Sequence, residues 1–309
     1  MMSVPNISNI LIFNHRHMGD VLMTTPALLA IRNKYKNATI DCITNHTGRE
    51  VLKEQNLVDN IVLENEPLSK NYDIALLFKA TFRNALQSRR LKIPVRIGWR
   101  REGNSLLLTH PVKTKSEHHI HQNIDLLAPL DITNISDQMI YKISPSATAP
   151  DFSRYMVFNP GASTPSNRWP ADHFAKLANL IHTKFPHKII ITGNAADRIL
   201  ADRIIGAVTT KERIYNYCGE STIDSLAKVL QGASALITGD TGPMHLAIAV
   251  KTQNVIALFG PAHERLSGPL PGYGTVLAKD RNGNWRDGNN RFKNIPVSLI
   301  KPEDVFERL

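Results

Sequence analysis

Short apolar runs alternate with amphipathic helical patterns along almost the whole chain. The first three runs cover residues 9–14, 39–44 and 60–63, and a helical pattern over residues 21–35 separates the first two. Short strands that are connected by helices are typical of parallel sheets covered by helices on both faces. We therefore predict an α/β protein that is built from doubly wound parallel sheets.

The alternation is interrupted once, in the middle of the chain. Residues 144–150 read Ser-Pro-Ser-Ala-Thr-Ala-Pro, a small, polar and proline-containing composition that is typical of a linker. Strand and helix patterns then resume, and 309 residues suffice for two medium-sized domains. We predict two Rossmann-like domains, residues 1–147 and 148–309, with a polar loop over residues 278–295 and a closing helix over residues 301–309.

The charge of the chain is strongly positive, with a formal net charge of +10. Residues 79–101 contain Lys or Arg at eight positions and no Asp or Glu. A positive field of this kind attracts anions, so an anionic glycan, an anionic lipid surface and nucleic acid are candidate partners, and a solvated basic face is the alternative. Nucleic acid is disfavoured because no nucleic-acid-binding module is visible and aromatic residues in the stretch are few.

Other features of the sequence indicate a cytoplasmic protein without a metal site. No apolar run approaches the ~20 residues of a membrane span, and the N-terminus lacks a signal-peptide pattern. Cys42 and Cys218 are expected to be buried free thiols. His118, His119 and His121 fit no common zinc-binding spacing, so we expect a solvated, polar helix entry there.

The segment 238–245 reads Thr-Gly-Asp-Thr-Gly-Pro-Met-His between two apolar runs. We predict a strand that ends directly at a helix N-terminus, with Asp240 or Thr241 as N-cap and Pro243 in the first turn. Such a helix start carries free N–H groups and partial positive charge, which favour phosphate. Gly242 would allow a ligand to approach the backbone closely. An ordinary strand-to-helix turn is the alternative.

Two further segments combine a strand end with chemically useful residues. Residues 158–170 contain Ser163, Thr164 and Arg168, which could hold phosphate oxygens, although a structural turn is the alternative. Residues 10–27 lack the Gly-x-Gly-x-x-Gly fingerprint, which disfavours a dehydrogenase. Asp20 begins a helix there and is either a simple N-cap or a general base.

Several of these segments resemble glycosyltransferase family 9, the ADP-heptose:lipopolysaccharide heptosyltransferases. Asp-Thr-Gly-Pro-Met-His-Leu-Ala at residues 240–247 resembles the nucleotide-binding segment of the family, and Gly-Asp-Val-Leu-Met-Thr-Thr-Pro-Ala-Leu at residues 19–28 is similar to its opening. Residues 158–170 resemble its Asn-Pro-Gly-Ala…Lys-Arg-Trp-Pro motif, but Asn167 stands where the family often has a diphosphate-binding lysine. The resemblance implies GT-B architecture, with two Rossmann-like domains facing a central cleft.

The resemblance also implies a role for each candidate residue. Asp20 would be the catalytic base. Asp197 would bind the nucleoside ribose, although an acid in the first turn of a helix is the alternative. The acceptor would be bound in the first domain by Arg83, Arg100 and Arg101. The diphosphate of the donor would be bound in the second domain by Ser163, Thr164, Arg168, Asp240, Thr241, Gly242, Pro243 and His245.

The implied activity is an inverting, metal-independent transfer of heptose from ADP-heptose to an anionic lipopolysaccharide inner-core acceptor. No cofactor is expected. Peripheral contact with the anionic cytoplasmic face of the inner membrane is expected. Two alternatives remain at this point. One is a different nucleotide-sugar enzyme on the same fold, either another sugar transferase or an epimerase. The other is a catalytically inactive glycan-binding relative, which the departure at Asn167 leaves open.

Overall fold

The computed structural model describes residues 7–68, 71–101, 103–286 and 295–309. The chain divides into two compact units, Met1–Lys142 and Ile143–Leu309. The predicted linker, residues 144–150, lies within the second unit. Hydrogen bonds join its first residues to the rest of that unit. The Ser144 backbone N–H donates to Asp224 Oδ1 at 3.2 Å, and Lys228 Nζ donates to the Ala147 carbonyl at 2.9 Å.

The first unit is a parallel sheet with helices between its strands. Its strands and α-helices are β1 (Asn9–Phe13), α1 (Met18–Leu22), α2 (Thr25–Lys34), β2 (Thr39–Thr44), α3 (His46–Leu52), β3 (Asn60–Leu63), β4 (Ile74–Leu77), α4 (Phe82–Arg90), β5 (Val95–Trp99), β6 (His110–Val112) and α5 (His119–Asp125). The six strands follow the order β3-β2-β1-β4-β5-β6. Ile10 of the central strand is in register with Ile40 on one side and Ile74 on the other. All three residues are fully buried.

The second unit repeats this architecture. Its strands and α-helices are β7 (Tyr155–Asn159), α6 (Ala171–Lys184), β8 (Lys188–Ile191), α7 (Arg198–Gly206), β9 (Ile214–Asn216), α8 (Ile223–Gly232), β10 (Ala235–Gly239), α9 (Gly242–Ala249), β11 (Val255–Phe259), α10 (Glu264–Ser267), β12 (Thr275–Ala278) and α11 (Pro302–Phe306). The strand order is β12-β11-β10-β7-β8-β9. The C-terminal segment is fixed to this unit through Trp169, whose Nε1 donates to the Ile300 carbonyl at 2.9 Å.

The strand order determines where each sheet can bind a ligand. In the first unit the strands follow one another outwards from β1 to β3 on one side and from β4 to β6 on the other. In the second unit they do so from β7 to β9 and from β10 to β12. At such a switch point the loops that follow the two strands diverge and leave a crevice at their carboxyl ends. The loops after β1, β4, β7 and β10 are therefore the positions where a binding site is expected.

The α/β class and the parallel sheets predicted from the sequence are confirmed, but one helix differs. The predicted helix over residues 21–35 is two helices, α1 and α2, because Pro26 has no N–H for the carbonyl of Leu22. The Thr25 hydroxyl donates to that carbonyl instead, at 2.7 Å. The Thr24 hydroxyl donates to the Val21 carbonyl at 2.6 Å, so the chain turns there and restarts.

The predicted polar loop over residues 278–295 is partly ordered structure. β12 extends to Ala278, and an antiparallel bridge joins Lys279 to Trp285 across a tight turn. Residues 287–294 lie outside the described residues. The closing helix is shorter than predicted, since α11 covers Pro302–Phe306. Within the described ranges, no helix has both the length and the apolar character needed to cross a bilayer.

Candidate functional site

A cavity of about 390 Å³ lies at the switch point of the first sheet. Its walls come from the loop after β1, the start of α1, the residue between β2 and α3, the loop after β4 and the turn after β5. The lining residues are His15, Arg16, His17, Asp20, Asn45, Lys79, Ala80, Thr81 and Arg101. We call this cavity the β1–β4 pocket. Lysine and arginine side chains outnumber its single carboxylate, so an anionic ligand is favoured there.

Asp20 is the carboxylate of the β1–β4 pocket. It is the third residue of α1, and the N-cap position is occupied by His17, which makes no side-chain capping bond. The interpretation of Asp20 as a simple N-cap is therefore wrong. Its side chain is 33% exposed, and its Oδ1 lies 3.7 Å from Arg16 Nη1. Asp20 accepts no hydrogen bond from another described residue, so its oxygens remain available to a ligand.

The two loops of the β1–β4 pocket brace each other. Arg16 Nη2 donates to the Phe78 carbonyl at 2.6 Å, and Lys79 Nζ donates to the His15 carbonyl at 3.0 Å. Burial lowers the pKa of the Arg16 guanidinium, the neighbouring Asp20 raises it, and Arg101 lowers it. Arginine remains charged at neutral pH despite such shifts. The cation beside Asp20 is therefore fixed in position.

His15 forms a neutral wall of the same pocket. Asn84 Nδ2 donates to the Lys79 carbonyl at 2.6 Å, which sets the orientation of that amide. The same Nδ2 lies 3.2 Å from His15 Nε2, so this ring nitrogen is assigned as the acceptor. Burial lowers the pKa of His15, Glu64 raises it, and the neighbouring cations lower it. The pKa of His15 is therefore below its usual value. The imidazole is therefore uncharged at neutral pH.

The three predicted acceptor-binding arginines lie around this pocket to different degrees. Arg101 lines it. Its backbone N–H donates to Asn104 Oδ1 at 2.9 Å, and Asn104 Nδ2 donates to the Ala80 carbonyl at 2.9 Å. Arg83 lies in the first turn of α4 and Arg100 follows β5, and both are exposed. Within the part of the chain that is described, none of the three forms an ion pair.

Other basic residues of the 79–101 stretch serve the fold. Arg96 Nε donates to the Leu107 carbonyl at 2.8 Å, and its Nη1 donates to the Ile93 carbonyl at 2.5 Å. Arg89 and Arg90 lie in the last turn of α4, where cations stabilise the helix dipole. Only part of the basic stretch therefore belongs to the pocket.

The second unit presents a helix N-terminus at its own switch point, where β10 leads directly into α9. Thr241 occupies the N-cap position as predicted, but its side chain makes no capping bond. Its Oγ1 hydrogen-bonds with Thr238 Oγ1 at 2.9 Å and donates to Asn159 Oδ1 at 3.3 Å. Asp240 Oδ1 accepts from Ser267 Oγ at 3.1 Å, so Asp240 does not cap the helix through this oxygen.

A polar network that the sequence analysis missed supports this edge. Asn159, at the end of β7, accepts from Thr238 at 3.3 Å and donates from Nδ2 to the Thr192 carbonyl at 3.1 Å. Asn159, Thr192 and Thr238 are buried and lie at or next to the carboxyl ends of three neighbouring strands. Each of these polar residues lies at the end of an apolar run, and this pattern is the sequence signal that could have predicted the network.

The loop after β7 carries the other predicted phosphate ligands. Ser163, Thr164 and Arg168 are exposed. Arg168 Nε donates to the Ala162 carbonyl at 3.1 Å, which closes the loop. A Cβ added to Gly239 would lie 3.2 Å from the Asn167 carbonyl, so this loop packs closely on the end of β10. The structure therefore brings Arg168 and the start of α9 to one edge of the second sheet.

The remaining predicted donor residues occupy different surroundings. Gly242 and Pro243 form the first turn of α9, and the backbone N–H of Gly242 donates to no described residue. Pro243 has no N–H to leave unpaired. His245 is the fourth residue of α9, and its side chain is only 4% exposed, so it is packed into the fold at the start of the helix.

Asp197 is enclosed by the turn that follows β8. It is 5% exposed, and its Oδ2 accepts from the Asn194 backbone N–H at 3.0 Å. Asn194 accepts in return from the Asp197 backbone N–H, which completes a capping box. A Cβ on Gly161 would lie 2.5 Å from Asp197 Oδ2, and one on Gly193 would lie 2.8 Å from Asp197 Cβ. These contacts support the alternative interpretation, an acid that stabilises the first turn.

The predicted helix entry at residues 118–121 is present, but His118 is buried and not solvated, whereas both cysteines are free as predicted. His118 accepts from the Ile120 backbone N–H at the start of α5. Among the residues that the structure describes, no three His, Cys, Asp or Glu side chains are grouped as metal ligands would be. Both cysteines are buried free thiols, and burial raises the pKa of each to about 12.

The chain is similar to known proteins over nearly its whole length. The chain is 24% identical to lipooligosaccharide heptosyltransferase 2 of Haemophilus influenzae, over 97% of this chain and 98% of the relative. A glycosyltransferase family 9 structure from Veillonella parvula superposes with a TM-score of 0.81 at 20% identity, over 97% of this chain and 95% of the other. The Escherichia coli ADP-heptose lipopolysaccharide heptosyltransferase II structure superposes with a TM-score of 0.78 at 22% identity, over 97% of each chain.

These superpositions confirm the predicted GT-B class of two Rossmann-like sheets. The family model "Glycosyltransferase family 9 (heptosyltransferase)" matches residues 64–293, well over half of the sequence. The chain therefore belongs to glycosyltransferase family 9, the family of the heptosyltransferases.

Proposed function

We propose that the protein transfers a heptose from ADP-heptose to an anionic sugar of the lipopolysaccharide inner core, with inversion at the anomeric carbon. Membership of the family supports the transfer of a heptose. The solved Escherichia coli relative is named for ADP-heptose and lipopolysaccharide, and the Haemophilus relative for lipooligosaccharide. The basic character of the β1–β4 pocket supports an acceptor that carries carboxylates or phosphates.

One observation carries the proposal: Asp20 lies in that pocket with oxygens that no described residue hydrogen-bonds. In the proposed reaction, the acceptor hydroxyl oxygen attacks the anomeric carbon of the donor. Asp20 takes the hydroxyl proton as the new carbon–oxygen bond forms. The bond from the anomeric carbon to the phosphate oxygen breaks with its electron pair, and ADP leaves. A single displacement of this kind inverts the configuration.

The second unit would bind the diphosphate that leaves. The α9 N-terminus supplies partial positive charge and the free Gly242 N–H, and the loop after β7 supplies Ser163, Thr164 and Arg168. Donors that are fixed before the reaction stabilise charge as it develops on a leaving group. Because Asn167 replaces the family lysine, Arg168 is the proposed cation at this position. The proposal requires neither a metal ion nor a cofactor.

The acceptor would be bound by cations of the first unit. Arg101 lines the β1–β4 pocket, and Arg83 and Arg100 follow the strands next to it. Arginine binds carboxylate and phosphate through paired N–H groups, so these residues suit an acidic core sugar. The lipopolysaccharide acceptor carries a lipid anchor. The proposal therefore includes peripheral contact with the anionic cytoplasmic face of the inner membrane.

A mass-balanced incubation tests the proposal. Purified protein is mixed with ADP-heptose and a soluble inner-core oligosaccharide, and ADP and acceptor mass are followed together. We expect one mole of ADP for each mole of acceptor that gains a heptose, and no conversion without acceptor. GDP- and UDP-sugars serve as matched donor controls. Conversion of the free nucleotide sugar without acceptor, or acceptor binding without ADP release, would reject the transferase assignment.

A further inference from the structure

Two of the most exposed large apolar side chains belong to segments that follow residues of the β1–β4 pocket in the chain. Phe82 is 56% exposed and Leu106 is 91% exposed. Phe82 follows Thr81, which lines the pocket. Leu106 is the middle residue of a short 3₁₀ turn, Ser105–Leu107, which follows the pocket residue Arg101 closely in the chain. A single exposed leucine is ordinary on a protein surface. The residues around Leu106 therefore determine whether it belongs to a binding surface.

Contacts hold the two segments that carry these apolar side chains against each other. Asn104 Nδ2 donates to the Ala80 carbonyl at 2.9 Å and to the Trp99 carbonyl at 3.1 Å. These bonds hold the turn after β5 against the loop that begins α4. A Cβ placed on Gly103 would lie 3.9 Å from Phe82 Cδ2. The apolar side chains are therefore presented by a braced part of the fold.

Three exposed arginines lie on the same segments: Arg83 follows Phe82, and Arg100 and Arg101 precede Leu106. None of them forms an ion pair with an acid that the structure describes. We call Phe82, Arg83, Arg100, Arg101 and Leu106 together the rim surface. Exposed apolar side chains that are flanked by cations match the chemistry of an anionic bilayer. The apolar groups enter the headgroup boundary and the cations attract lipid phosphates.

We propose that the rim surface docks on an anionic lipid bilayer and so brings the β1–β4 pocket to the level of the headgroups. The inference rests on the proposed function, in which the acceptor sugar is anchored in a bilayer by its lipid. The arginines would both attract the membrane and remain close to the acidic core sugar. Phe82 and Leu106 have no part in the proposed chemistry, so they separate docking from catalysis.

Vesicle binding by the full chain tests the inference. Sedimentation is measured with vesicles of phosphatidylglycerol and phosphatidylcholine, and with phosphatidylcholine alone. Leu106→Ser and Phe82→Ser are compared with Ile199→Ser, a control whose side chain is 81% exposed but belongs to the second unit. We expect each rim substitution to weaken binding to the anionic vesicles by about tenfold, as the loss of one inserted apolar side chain predicts, while the control changes by less than about twofold.

Melting temperatures of the three variants verify that each is folded. Weak binding to phosphatidylcholine alone, and loss of binding in high salt, are also expected. The inference would be overturned if the wild-type protein did not bind anionic vesicles, or if the rim and control variants bound these vesicles with equal affinity.

Transfer to a soluble acceptor separates the inference from the proposed function. If Leu106→Ser binds vesicles weakly but transfers heptose to the soluble acceptor at the wild-type rate, both stand. If soluble transfer occurs but the rim substitutions do not affect vesicle binding, the docking inference alone fails. If the rim substitutions weaken vesicle binding but no form of the protein transfers heptose, the proposed function fails, and the bilayer contact stands as a membrane-binding surface.

Discussion

Substitution of Gly161 by alanine should destabilise the second unit, because the added methyl group meets the carboxylate of Asp197. The new Cβ would lie 2.5 Å from Asp197 Oδ2, 2.8 Å from Cγ and 2.9 Å from Oδ1. Asp197 cannot retreat freely, since it is buried, its Oδ2 accepts from the Asn194 N–H at 3.0 Å, and Gly193 lies against its Cβ. The contact must therefore be relieved by strain or by breaking the cap.

The magnitude follows from these two costs. Overpacking of a well-packed site costs about 1–3 kcal/mol, and a lost helix cap adds about 1 kcal/mol. The sum of about 2–4 kcal/mol should lower the melting temperature of the unit by about 5–10 °C. Thermal unfolding, followed by circular dichroism, measures the change. Gly206→Ala is the matched control, because its Cβ would meet nothing within 4 Å.

A double-mutant cycle identifies the contact responsible. In an Asp197→Ala background, Gly161→Ala should cost less than about 1 kcal/mol, because the obstructing carboxylate is gone. An unchanged melting temperature for Gly161→Ala, or an equal cost in both backgrounds, would refute the packing argument. Asp197→Ala alone should reduce stability. If it weakens ADP binding at full stability instead, the ribose-binding role that the resemblance implies would be restored.

The other predictions concern the proposed reaction and its pH range. Arg168→Ala should weaken ADP binding by about tenfold in calorimetry, the loss of one charged contact, whereas Arg203→Ala, an exposed control on α7, should not. Arg101→Ala should raise the KM for the acceptor more than the KM for the donor in steady-state kinetics, and the reverse pattern would reject its assignment. Excess chelator should leave the transfer rate unchanged, and a rate that depends on added metal would contradict the metal-free proposal. The lowered pKa of buried His15 means that the folded state binds fewer protons than the unfolded state, so stability should fall as pH drops below about 6.5. Urea unfolding from pH 7 to pH 5 should show this fall, and His15→Gln should make it smaller.

The sheets could be predicted because their sequence signal is strong. Residues Ile10, Leu11, Ile12 and Phe13 are each fully buried, so both faces of β1 are apolar and the run is continuous. A parallel strand covered by helices on both faces has this pattern. β6 was not anticipated, because its three residues are half-buried or exposed and lie at the edge of the sheet. Its pattern therefore resembles a loop.

Helix ends and caps were predicted less well, since they depend on contacts between distant residues. Thr241 has the residue type of an N-cap, yet its hydroxyl bonds to Asn159, which is far away in the sequence. Asp197 has the residue type of a ribose ligand, yet Gly161 and Gly193 enclose it. In both cases a contact of the side chain comes from a residue that is distant in the sequence, so the local sequence could not predict it.

The position of the candidate site was more predictable than its details. Asp20 and the start of α9 each follow a central strand, and topology alone places such residues at the switch point of a parallel sheet. The hydrogen bonds of Arg16 and Lys79 were not predicted, because each side chain bonds to the loop that carries the other. That contact exists only after β1 and β4 have paired.

The most direct test of the account compares Asp20→Asn with the wild-type protein in the heptose transfer assay, with ADP affinity measured on the same samples. The amide keeps the shape of the side chain but is a far weaker base, so the transfer rate should fall by about 10²–10⁴-fold while the Kd for ADP is unchanged. Asp172→Asn, an exposed first-turn acid of α6, is the matched control and should retain its rate. Wild-type turnover by Asp20→Asn would contradict the claim that this carboxylate takes the acceptor proton.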